Sequence, residues 1–154
     1  MSILILALLI GVIAGLRAFT APTVVSWAAH LGWINLTGTP LAFLGSAITV
    51  GILTLCALGE IVNDKRPTTP SRKIPPQFIA RVVMGAFAGS ALGLSHDSLF
   101  GGLIAGAIGA VIGTLGGAAF RGALAKAFGN DLPAALIEDA IAVGGGLFIV
   151  SLAH

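Results

Sequence analysis

The stretch SILILALLIGVIAGLRAFTAPTVVSWAAHLGW, residues 2–33, decides how this chain folds. It is apolar almost throughout. As one helix it would run about 46 Å at ~1.5 Å per residue, too long for a hydrocarbon core of about 30 Å. Arg17, Thr20 and Pro22 interrupt it. Proline removes a backbone donor and clashes with the preceding turn. The stretch therefore predicts a broken element: a helix over about 3–18, an unwound or kinked RAFTAP segment, and a second helix over about 22–32. Trp27 and Trp33 suit an interfacial aromatic belt. The apolar run could pass for the core of a signal peptide, but no Lys or Arg precedes it. It also passes Arg17 without a convincing cleavage site, so it reads as part of the fold.

The rest of the chain has the same character. Of 154 residues, 56% are hydrophobic and 9% charged, and the mean hydropathy is +1.04. A soluble domain carries about 25% charged residues, so too little polar surface exists here to face water. The expectation is an all-α, polytopic transmembrane bundle forming one domain over 1–154. About five spans are expected: 3–32 with its break near 17–22, 41–62, 77–94, 99–121 continuing to 128, and 133–152. Pro133, after the break Gly129-Asn130-Asp131-Leu132, is read as the first residue of the last span. The loop 63–76 holds four of the seven prolines and the cations Lys65, Arg66, Arg72 and Lys73. Arg121 and Lys126 flank the break at 129, whereas the turns at 34–40 and 95–98 carry no Lys or Arg. The positive-inside rule then puts 63–76 in the cytoplasm of a cell inner (plasma) membrane. Five crossings would leave the N-terminus inside and the C-terminus outside. A re-entrant first pair would flip the N-terminus.

Glycine occurs 22 times. Gly101, Ala105, Gly109, Gly113 and Gly117 recur at i+4, as do Gly85, Gly89 and Gly93; Gly11 and Gly15 make a shorter pair. Small residues in such rows let helices approach closely in lipid. They serve either packing within one bundle or a homodimer through a glycine-rich face. Spans three and four each carry an arginine near one end and a glycine row leading away, and 10–19 resembles 108–120, which suggests an inverted repeat.

Charges at membrane depth are costly and commonly functional. Arg17, Glu60, Arg81, Glu138 and Asp139 qualify, with Asp64 beside them at the start of the loop. Arg81 is expected to pair with Glu60 or Asp64, and Arg17 or Arg121 with Glu138 or Asp139. Such pairs either fix helix register or line a polar cavity. A broken helix also frees backbone amides and carbonyls. The substrate-binding candidates are therefore Arg17, Thr20, Pro22, Glu60, Arg81, Glu138 and Asp139. The loop cations Lys65, Arg66, Arg72 and Lys73 form a second candidate site, for lipid phosphates or a soluble anion. His30, His96 and His154 have no metal-ligand spacing, and no nucleophile or phosphate-loop motif is present. Lone Cys56 reads as packing. No catalytic residue, metal, cofactor or nucleic-acid partner is expected; membrane lipids are.

The stretches GLRAFTAP (15–22), SWAAHLGW (26–33) and GEIVNDKRPTTPSRKIPPQFIAR (59–81) resemble a family of small bacterial integral membrane proteins with plant relatives, known as a domain of unknown function. The resemblance covers nearly the whole chain through an LRAFTxP break and a GExxxDKxPxxPxR loop. It implies a multi-span membrane protein and supplies no activity. By match it carries over Arg17, Thr20, Pro22, Glu60, Asp64, Lys65, Pro67, Pro70, Arg72 and Arg81. The order Asn63-Asp64, then Pro, Thr, Arg and Ile-Pro is also similar to the first loop of intramembrane polyprenyl transferases. Their magnesium needs several aspartates, and only Asp64 is present. The leading functional expectation is a small transporter or channel-like protein with a polar intramembrane site. A phospholipid-binding or structural membrane partner is the alternative, and a lipid-modifying enzyme comes third.

Overall fold

The computed structural model describes residues 2–63 and 75–153. They form α1 (Ile3–Leu16), α2 (Thr20–His30), a 3-10 turn at Ala42–Gly45, α3 (Ala47–Asn63), α4 (Pro75–Leu94), α5 (Leu99–Phe128) and α6 (Asp131–Leu152). No strand occurs among them, so the all-helical expectation holds. The loop cations Lys65, Arg66, Arg72 and Lys73, and with them Asp64, lie outside the described residues.

The first stretch breaks where its sequence says it must, but over only three residues, Arg17 to Phe19. Pro22 is not in the break. It is the third residue of α2, where a missing N–H removes nothing because the first turn has no internal acceptor for it. Pro133 stands likewise third in α6, not first. Asn130 caps that helix through a side-chain bond to the Leu132 amide, 3.2 Å. Gly129 ends α5 in the left-handed conformation, φ 68°, which glycine adopts without strain. The element expected over 41–62 is α-helical only from Ala47; Ser46 supplies its first-turn cap with a bond to the Thr49 amide.

Directions follow from residue contacts. Along α5, Gly101 meets the Leu4 side chain, Gly106 faces Gly11, and Gly113 and Thr114 face Gly15. So α1 runs parallel to α5. Helix α4 runs antiparallel to α5, with Gly93 against Ser98 and Gly102, and Gly85 against Gly106 and Ala110. Arg17 reaches Asp139 and Ile13 touches Gly146, so α6 is antiparallel to α1. Val24 also touches Gly146, hence α2 and α6 run the same way. Helices α1 and α2 therefore turn back on each other. They form a helical hairpin whose tip is the break, rather than one kinked rod. At ~1.5 Å per residue α1 and α2 are about 21 and 16 Å long, short of a ~30 Å core.

The exterior is apolar, unlike that of a water-soluble protein, and a few charges are buried within an otherwise apolar core. Ile48, Leu55 and Val62 on α3, and Phe100, Ile104, Ile108 and Ile112 on α5, are exposed, while Arg17, Arg81 and Glu138 are buried. Three helices, Pro75–Leu94, Leu99–Phe128 and Leu132–Leu152, are long and apolar enough to cross a membrane. This is a helical bundle suited to lipid, with its polar groups turned inward.

A buried charge cluster at the hairpin tip

The break leaves backbone groups that must be satisfied in a dry interior. Each side of it is met by a charge from another helix. Arg81 of α4 donates through Nη1 to the carbonyls of Gly15 (3.2 Å) and Leu16 (3.1 Å), the last turn of α1. Glu60 of α3 accepts from the amides of Ala18 (Oε2, 3.0 Å) and Phe19 (Oε1, 3.1 Å), which lead into α2. No side chain of α2's own caps that end. The signs agree with the helix dipoles: a cation sits at a carbonyl end and an anion at an amide end.

Arg17 itself extends from the tip, with no solvent exposure, to α6. Its Nε donates to Asp139 Oδ1 at 2.7 Å, and Nη2 bonds the same oxygen. Its Nη1 lies 3.5 Å from Glu138 Oε1, and Arg121 Nη1 of α5 lies 3.6 Å from that oxygen. One buried carboxylate thus bridges two arginines. The four charges sum to zero, as do those of Glu60 and Arg81. Pairing offsets part of the penalty these charges incur on leaving water.

The structure brings Arg17, Glu60, Arg81, Glu138 and Asp139 to one end of the hairpin. Arg17 meets Glu138 and Asp139, as the spacing of charges suggested, and Arg121 joins them. Pro22 and Thr20 are buried at the start of α2. Thr20 Oγ1 has no hydrogen-bond partner among the described residues. The Thr23 hydroxyl, one turn on, has its single proton shared between Phe19 O at 2.6 Å and Leu53 O at 3.0 Å. What sequence reasoning missed is that Glu60 and Arg81 bind backbone rather than only each other's charge. The available signal was their position: both lie where spans end, level with a broken helix in need of caps.

The family description for a domain of unknown function, DUF4126, matches residues 4–153. The chain belongs to the DUF4126 family. No curated protein and no solved structure matches the chain. The family description names no activity, and the feature of this DUF4126 protein that offers chemistry is the charge cluster.

Proposed function

We propose that this DUF4126 protein is a small transporter or channel-like protein whose polar site is the cluster at the hairpin tip. The supporting observation is Arg17: a fully buried arginine in a helix break, held by Asp139 and sharing Glu138 with Arg121. Intramembrane charges of this kind usually belong to a conduction or binding path. Unwound backbone at depth is tolerated only where protein or a cavity lines it. In this reading an anionic group of the solute displaces Asp139 from the Arg17 guanidinium. Glu60 and Arg81 hold the two sides of the break, and Thr20 and Pro22 frame it. No covalent chemistry is involved.

The orientation belongs to the same proposal. Arg17, Arg81 and Arg121 gather at one end, which supports a plasma-membrane protein with 63–76 on the cytoplasmic side. A homodimer is supported by Gly51, Gly59, Gly116 and Gly144, beside which nothing lies within 4 Å among the described residues.

The test is flux into proteoliposomes across ion and metabolite panels, comparing wild type with Arg17→Ala and Asp139→Asn. Wild-type flux that both substitutions abolish is expected. Uniformly flat traces in all three proteins would refute transport.

A further inference from the structure

The charges at the hairpin tip balance, and the balance constrains what can travel with an anion. Among the described residues the tip gathers three cations, Arg17, Arg81 and Arg121, and three carboxylates, Glu60, Glu138 and Asp139. The carboxylates are not held alike. Glu60 is fixed by the amides of Ala18 and Phe19. Glu138 lies between Arg17 and Arg121, with its side chain 1% exposed. Asp139, on the other edge of the Arg17 guanidinium, is 13% exposed. Of the two acids on Arg17 it is therefore the one that water can reach.

Helix α6 packs on α1, α2 and α5. The charged groups that these elements bring toward Glu138 and Asp139 are Arg17, just past the end of α1, and Arg121 of α5, with Lys126 further along that helix. Helix α1 has no acid or base, and α2 has none before His30 at its far end. Glu60 and Arg81 serve the other faces of the break. An anion that takes the place of Asp139 on Arg17 would leave four negative charges against three positive ones at the tip. An unbalanced charge in a dry interior is far costlier than a paired one. One proton on the displaced Asp139 carboxylate restores the count. The same count governs the empty form: without an anion Arg17 needs an ionised Asp139, so the proton has to leave when the anion does.

We infer, on the transport reading above, that the protein is a carrier that moves one proton with each singly charged anion, and that Asp139 carries the proton. Asp139 alternates between an ionised form bound to Arg17 and a neutral form present while the anion occupies the guanidinium. The proton comes from water on the side of entry and returns to water on the side of release. Nothing is oxidised or reduced, and no net charge crosses. Such a cycle belongs to a carrier rather than to an open pore.

The test uses the full-length protein in proteoliposomes with a pH-sensitive dye in the lumen and the potential clamped by potassium and valinomycin. Chloride, nitrate, glutamate and gluconate are the probes. Each anion that enters should acidify the lumen by one proton per anion, at a rate that does not change with the clamped potential. Entry without acidification, at a rate that follows the potential, overturns the coupling and leaves the transport reading standing. Absence of entry for all four overturns both. Asp139→Asn is neutral throughout. It should lose net uptake, because its empty form leaves Arg17 unbalanced, yet keep exchange of labelled for unlabelled anion at a rate that does not vary with pH. Asp139→Glu retains a titratable carboxyl and should retain coupled uptake. Elution volume and circular dichroism select the variants that remain folded. Coupled uptake that survives in folded Asp139→Asn, or exchange lost from it together with net uptake, overturns the assignment to Asp139.

Discussion

Glu60 shows how much one side chain decides. Two consecutive amides at the hairpin tip have no acceptor of their own, and a single carboxylate serves both. A carboxylate has acceptors on both oxygens, whereas an amide side chain presents a donor on one side. Glu60→Gln should therefore turn an N–H toward an N–H and lower stability by about 1–3 kcal/mol. Thermal unfolding in detergent measures this, and an unaltered melting temperature would mean that the tip is held by other contacts. Arg81 is the counterpart at the end of α1. Arg81→Met keeps most of the side chain's length but leaves the Gly15 and Leu16 carbonyls to find other partners, so a similar loss is expected in the same assay.

At the scale of elements, close approach of α1, α4 and α5 rests on positions without a Cβ. Gly106 stands where all three meet: a Cβ there would collide with the Gly85 carbonyl, and one on Gly11 would collide with the Gly106 carbonyl. Backbone cannot move aside as a flexible side chain can. Gly106→Leu should push the helices apart and destabilise the bundle by about 1–3 kcal/mol or more. Gly122→Leu, on the same helix with open space beside it among the described residues, should stay within about ±0.5 kcal/mol. Equal melting temperatures for the two would contradict this packing. The i+4 row through Gly101 and Gly117 was visible in the sequence. A second row, Gly102, Gly106 and Ala110, is the one that meets α4. In a helix this rich in glycine every face holds small residues, so periodicity alone cannot say which face has a neighbour.

For the whole molecule, the hairpin fixes the parity of the topology. Helices α1 and α2 return to the end they started from, and α3 to α6 then alternate. Ser2 and Ser151 should lie on one side of the membrane and Asn130 on the other. In a Cys56→Ser background, single cysteines at these three positions can be labelled with an impermeant maleimide in sealed vesicles. Ser2→Cys and Ser151→Cys should react from the same side. Labelling of Ser2→Cys together with Asn130→Cys would instead indicate five crossings through a single broken rod.

Composition and hydropathy alone determined that this chain is helical, that its outside is apolar, and that its first long stretch breaks near Arg17. They also marked the charges that had to turn inward, because a buried charge is too costly to occur without a partner. These are properties of local sequence: propensity, length against bilayer thickness, and the chemistry of single side chains. The direction taken after the break was decided only by tertiary structure. Three residues can turn a chain through many angles, and the one adopted depends on Glu60 and Arg81, 42 and 66 residues away from the backbone groups they bind. The same holds for the apolar groove along α2, lined by Val24, Trp27, Leu58 and Leu147, which exists because α3 and α6 flank α2 without closing over it, a relation among three elements that no stretch of sequence contains.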